Sequence, residues 1–284
     1  MIIFICFGNI LTILAVWRTS ILRTVPNMYV VSLAVADLIV GGITLPVQII
    51  LSLPPFSLLL DEDKYFCLFQ MVIYFVSVTT SVFSMGVIAV DRALYIGYPL
   101  HYNRFSTEKT AKVIIAGTWT ASLMISIAPF YYNTWRECQV CFSFFVIPME
   151  YQLYVQVGSI ILVIILTSIC YGYILYIARS KQGRSAGWEA DMKLVKIFLM
   201  VFGLFIGCWT PLLSLVFDGY INQEKKELYH STFFETSFCL SVLNSGMNFL
   251  VYSVKNMDFR KAIRDILCRK KKCINTVGPS FHRY

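Results

Sequence analysis

Apolar side chains dominate seven stretches of the chain, each close to the ~20 residues that a helix needs to cross a bilayer. They are Met1–Trp17, Met28–Ser52, Phe66–Val90, Ala111–Tyr131, Leu153–Ile177, Leu194–Phe217 and Ser231–Val254. Buried helices of a soluble protein would not repeat this length seven times. The pattern therefore predicts an all-α membrane protein, a seven-transmembrane helix bundle over residues 1–254. The first span is short: at about 1.5 Å per residue it reaches only about 25 Å. With no polar residue before Met1, it is expected to be a truncated helix. Asn9 and the lack of a basic stretch ahead of the apolar run speak against a cleaved signal peptide. Pro54 and Pro55 disfavour further helix after the second span. After the seventh, Met257–Leu267 reads as a short amphipathic helix. Phe259, Ile263, Ile266 and Leu267 share one face, and Arg260, Lys261 and Arg264 the other. Residues 255–284 are thus this helix and a basic cytoplasmic tail.

Composition agrees with a bilayer as solvent. The 284 residues are 57% hydrophobic and 14% charged, against roughly 25% charged in a soluble domain, and the mean hydropathy is +0.67. Lys and Arg are unevenly placed. One side of the membrane receives the basic residues of the first, third and fifth connections, Arg18, Arg23, Arg92, Arg104, Lys109 and Arg179 among them, and those of the tail. The other keeps Lys64, Arg136, Lys225 and Lys226, offset by acidic neighbours. The basic side is expected to be cytoplasmic, which puts the N-terminus outside a plasma-membrane protein that crosses several times. The net charge of +8 then reports topology and membrane-lipid contact, and no nucleic acid is expected as a partner.

Four of nine cysteines (Cys6, Cys170, Cys208, Cys239) lie within apolar spans, so no disulfide scaffold is expected. On the outer side Cys67 opens the third span, and Cys138 and Cys141 lie in the loop after the fourth. One bridge from Cys67 to that loop suits the oxidising extracellular face; spacing leaves its partner open. Cys268 and Cys273 follow the amphipathic helix and offer acylation sites, though a plain solvated basic tail accounts for them as well.

Polar groups at membrane depth are costly, so each needs a partner or a task. Asp37 lies mid-span in the second helix, Asn9 in the first and Ser81 in the third, while Asn244 and Asn248, four apart, share a face of the seventh. Converging, they would offer hard oxygen ligands to a small cation or an ordered water cluster. Equally, each could be interhelical glue worth about 0.6–2 kcal/mol per bond.

These residues also form a family pattern. Gly8-Asn9, Leu33-Ala34-Val35-Ala36-Asp37, Cys67, Asp91-Arg92-Ala93, Trp119, Cys208-Trp209-Thr210-Pro211 and Asn248-Phe249-Leu250-Val251-Tyr252 stand in order, one set per helix. The chain resembles the rhodopsin-like (class A) G-protein-coupled receptors. Within them it is most similar to adenosine receptors, through Ser32–Asp37 with Val40-Gly41, Val146–Tyr151 and Asn244–Asn248. That resemblance implies a Cys67–Cys141 bridge and a sodium ion as allosteric modulator at Asp37, Ser81, Asn244 and Asn248. It implies a ligand pocket at Tyr74, Val78, Trp209, Leu213, Val216 and Ser241 beneath Phe142, Ser143 and Phe144. It also implies a G-protein coupling end at Asp91, Arg92, Tyr171, Asp191 and Tyr252, with an Arg92–Asp191 ion pair holding the third and sixth helices at rest. Trp209 would pass ligand contact to movement about Pro211, where a backbone hydrogen bond is missing.

The sequence departs from that pattern where adenosine receptors touch their agonist. Ser143 replaces the loop Phe, Phe144 the neighbouring Glu, Val216 the sixth-helix Asn and Val242 the seventh-helix His; only Ser241 is kept. A site built on a bidentate amide loses its discrimination with that amide, so adenosine is not the expected ligand. With Tyr74 at the level of the amine-pairing Asp, neither is an amine. The remaining lining suits a small, largely neutral or lipid-like extracellular ligand, with a heterotrimeric G protein as inner partner. Val163 and Phe249 stand where the fifth and seventh helices of the family have Pro, which puts the ease of activation in doubt. No phosphate loop or metal-spaced His/Cys cluster suggests an enzyme. The alternatives are a non-signalling seven-helix binding receptor and a transporter or channel with Asp37 on an ion path, the latter lacking the expected inverted repeats.

Overall fold

The computed structural model describes residues 1–51, 53, 63–136, 141, 143–180, 186–222 and 232–268. The expected features at Pro54-Pro55, Cys138, Phe142 and Cys273 lie outside these residues, as do the side chains of Phe144 and Asp191. The described chain is a helical bundle. Its helices are α1 (Ile2–Arg18), α2 (Val25–Leu51), α3 (Lys64–Gly97), α4 (Glu108–Phe130), α5 (Tyr151–Arg179), α6 (Ala186–Asn222), α7 (Thr232–Lys255) and a short α8 (Met257–Leu267). Six are long and apolar enough to cross a membrane, and α1, at 17 residues, is the shorter seventh.

Helix ends fall where capping puts them rather than where hydropathy fades. The third span, expected over Phe66–Val90, extends to 34 residues. Asp63 caps its start by accepting from the Phe66 amide at 2.9 Å, and its end comes two residues before Pro99, which opens the short helix Pro99–Phe105. Pro26 sits in the first turn of α2, which starts at Val25, three residues ahead of the expected Met28, and there its missing N–H costs nothing. Neither α2 nor α5 is uniform: α2 widens to a π turn over Val40–Thr44, and α5 starts as one over Tyr151–Val157. In α2 the cause is local. Pro46 cannot bond the Gly42 carbonyl, and the widened turn next to Gly41 and Gly42 absorbs the defect. In α5 the irregular turn precedes Val163, and regular α-helix passes through that position without a proline.

α3 is the central strut, packed against α2, α4, α5 and α6, while α6 packs on α7 and α1 closes against α2 and α7. Small residues and a few polar ties set these crossings. Gly86 of α3 admits Val163 of α5, since an added Cβ would lie 2.9 Å from its Cγ1. Gly8 of α1 admits the Phe249 ring, and Gly246 of α7 admits Phe4. Asn9 donates to the Ser245 carbonyl at 2.9 Å, joining α1 to α7, and Trp119 Nε1 donates to Ser32 Oγ at 3.0 Å, joining α4 to α2. Phe249 does not break α7, which is helical throughout. Asn256 caps α8 by accepting from the amides of Asp258 and Phe259. Phe259, Ala262 and Ile263 are buried against α1 and α7, whereas Leu267, expected on the same face, is exposed.

Candidate functional site

A disulfide joins Cys67 to Cys141, with Cα atoms 5.6 Å apart. It anchors the segment after α4 over the bundle mouth, where Cys67, Leu68, Met71, Val146 and Ile147 form a small core. Below it lies a cavity of about 210 Å³. Six of the nine expected pocket residues line it: Tyr74 and Val78 of α3, Trp209, Leu213 and Val216 of α6, and Ser143 overhead. Ser241 does not; its hydroxyl donates to the Phe238 carbonyl at 2.8 Å. The cavity also holds residues the motifs did not point to. Gln48, Gln70, Gln152 and Gln156 line it from α2, α3 and α5, and Phe234 and Phe238 from α7. Their signal was available, because a Gln in an apolar span needs a partner as much as Asp37 does. Gln152 has partners, donating to the carbonyls of Ser143 and Ile147. Gln70 Oε1 and Gln156 Nε2 are buried without one, and so is Trp209 Nε1. Among the described residues no Asp, Glu, Lys, Arg or His lines the cavity.

Beneath Trp209 a second cavity, of about 10 Å³ and so roughly one water in size, is lined by Tyr74, Val78, Ser81, Ser241 and Asn244 among others. Ser81 also reaches the polar cluster, donating to Asp37 Oδ1 at 3.4 Å, while Asn248 Nδ2 donates to Oδ2 at 2.7 Å. Asp37 is fully buried, and Asn244 Oδ1 is buried with no partner. The structure therefore brings Asp37, Ser81 and Asn248 together, with Asn244 across the shared cavity. A buried carboxylate bonded by Ser81 and Asn248, with an orphaned amide oxygen lining the cavity that Ser81 shares, is a donor set that fits a small hard cation or a water.

At the opposite end Arg92 is 5% exposed. It donates to Asp91 Oδ2 through Nε at 3.0 Å and an Nη at 2.5 Å. Tyr102 of the Pro99–Phe105 helix donates to Asp91 Oδ1 at 2.9 Å, and its oxygen lies 3.3 Å from Arg92. Burial pushes the Tyr102 phenol above its ordinary range, so it keeps the proton it donates. The guanidinium also lies 5.0 Å over the Tyr95 ring. Tyr95 and Tyr102 were not among the expected residues, although Tyr95 is three positions from Arg92 and so on its helix face. Arg92, Tyr95, Tyr102, Tyr252 and Phe259 line a cleft of about 430 Å³. Its only other charged lining residue among those described is Asp258. Tyr171 and Tyr252 share a third small cavity, and the Tyr252 hydroxyl has no partner.

The sequence profile of the 7 transmembrane receptor (rhodopsin family) matches residues 8–252. Among curated proteins, the chain is 26% identical to adenosine receptor A2b of Bos taurus, over 94% of this chain and 86% of that one. It is 28% identical to adenosine receptor A2a of Canis lupus familiaris, over 92% and 68%. A similar match, 25% identical over 99% and 70%, is to the alpha-1A adrenergic receptor of Homo sapiens. With the profile spanning nearly the whole bundle, its motifs each in their own helix and the bridge in place, the chain belongs to the rhodopsin family of seven-transmembrane receptors.

Proposed function

We propose that this multi-pass membrane protein is a signalling receptor of the plasma membrane, with the disulfide end outside and the Arg92 end facing the cytoplasm. A small, largely neutral extracellular ligand occupies the cavity over Trp209, and a heterotrimeric G protein docks at the Arg92 cleft. The observation that carries this reading is the cavity lining: largely apolar and aromatic, with four glutamines and, among the described residues, no Asp, Glu, Lys, Arg or His, and with unpaired amide and indole atoms at its edge. Such groups are costly when buried unmatched, about 1–3 kcal/mol each, and a neutral ligand with its own donor and acceptor removes that cost. A ligand that fits one arrangement of Trp209 and α6 better than another shifts the balance between them. Pro211, inside α6, leaves the Gly207 carbonyl without its helical partner and gives the helix a place to bend.

Adenosine is not that ligand, because Val216 lines the cavity where the related receptors' amide would hold the base. The test is a screen of neutral compounds on transfected cells, read by G-protein activation, beside adenosine. The expected result is activation by a neutral compound, lost in Trp209→Ala, with no response to submicromolar adenosine. Adenosine activation would overturn the ligand reading. One observation favours a second reading, a binding receptor that does not signal: α7 is unbroken, and Phe249 is wedged on Gly8. A ligand that binds with no G-protein response would decide for it.

A further inference from the structure

Another cavity lies outside the interior of the bundle. On the outside of α3, α4 and α5, at the Arg92 end, lies a groove of about 490 Å³, within the roughly 300–1,000 Å³ of small-molecule sites. Its walls include Phe83 and Val87 of α3, Ile114 and Ala121 of α4, and Val163 and Leu166 of α5. Ile114 and Leu166 are 37% and 44% exposed, so the groove opens on the surface that meets lipid. Gly117 leaves the space. An added Cβ there meets nothing within 4 Å.

Polarity is confined almost wholly to one end. Asp91, Tyr102, Ser106 and Thr110 line the groove at the Arg92 end, and Thr118, farther along α4, already donates to the Ile114 carbonyl at 2.9 Å. Asp91 is the sole charged lining residue among those described, and both its oxygens are engaged, by Arg92 and by Tyr102. An anionic head would meet a carboxylate and no cation. A cationic head would have to take Asp91 from Arg92. What remains are the hydroxyls of Tyr29, Ser106 and Thr110; Thr110 Oγ1 lies 2.9 Å from Thr107 Oγ1, and a hydroxyl, with one donor and two acceptor sites, keeps capacity for a further partner.

We propose that this groove is a second binding site, distinct from the cavity over Trp209, for a neutral single-chain amphiphile. Its hydroxyl head sits by Ser106 and Thr110, and its chain runs between α3, α4 and α5 to Gly117 and Ala121. Because the head lies beside the Asp91–Tyr102 hydrogen bond, the occupant favours the arrangement in which that bond is made.

The full chain, purified into phosphatidylcholine nanodiscs, tests this with radiolabelled monoolein as probe and thermal unfolding as the control for folding. Saturable binding is expected, weakened about tenfold, or about 1.4 kcal/mol, in Gly117→Trp, whose side chain fills the groove. Thr110→Val should weaken monoolein without changing the unfolding midpoint. If Gly117→Trp unfolds early, Ala121→Leu on the same wall is read in its place. Uptake that rises linearly with bilayer content and is the same in every variant would mean ordinary bilayer lipid and overturn the site. Oleate or oleylamine displacing monoolein more strongly than monoolein itself would overturn the neutral head.

Discussion

Arg92 is held by its own neighbours. Its guanidinium has a carboxylate beside it, a phenol oxygen at 3.3 Å and an aromatic face beneath, all with little water present. Removing one partner of a buried pair costs about 3–5 kcal/mol, because the other charge is left uncompensated. Asp91→Asn should therefore free Arg92 for the cleft and raise ligand-independent G-protein activation, measured at matched surface expression. Tyr102→Phe removes one hydrogen bond, worth about 1 kcal/mol, and should raise it by a smaller factor. Basal activity unchanged in Asp91→Asn would show that this cluster does not restrain the resting state. The second restraint proposed from the family pattern, Asp191 on α6, predicts the same direction for Asp191→Ala.

Two helices are joined where the family's seventh-helix proline is replaced. In α7 Phe249 packs on Gly8 so closely that a Cβ on Gly8 would lie 2.7 Å from its ring, and Asn9 beside it bonds the Ser245 carbonyl. The wedge supplies packing that a proline could not, and α7 runs through it as continuous helix. Gly8→Val should lower thermal stability, overpacking typically costing about 1–3 kcal/mol. Phe249→Ala should lower it through the void left, about 3–5 kcal/mol. Combined, the two should cost less than their sum, because the extra methyls occupy the space the ring vacates. Additive losses in thermal unfolding of the purified variants would mean that the two residues do not meet.

Three helices of the bundle meet at Asp37. The carboxylate on α2, Ser81 on α3 and the two asparagines on α7 come from three different helices, so a cation there would staple three helices at once. Anything that binds only the folded bundle raises its stability by mass action. Sodium chloride should therefore raise the unfolding midpoint above that in choline chloride at equal ionic strength, and the difference should vanish in Asp37→Asn. Equal midpoints for the wild type in both salts would leave the cluster as interhelical hydrogen bonding alone.

Hydropathy is local and additive, so the chain's own order of residues determined the seven spans, the membrane as solvent and the cost attached to Asp37, Asn9 and Asn248. The family resemblance, carried by ordered motifs in separate helices, named nine pocket residues, of which six line the cavity over Trp209. It gave no account of how each helix is rotated against its neighbours or where it ends. Asp63 and Asn256 set helix starts through single capping groups, Pro26 marks the start of α2, and Pro46, lacking one hydrogen bond, follows the π turn of α2. Gly8, Gly86 and Gly246 set how closely helices cross. Only packing decided that Arg92 meets Asp91, Tyr95 and Tyr102, that glutamines from three helices face one cavity, and that a gap opens beside Gly117. Each of those depends on side chains distant in sequence arriving at one depth and one angle, and the 3.6-residue period specifies a helix's apolar face but not its phase against a partner.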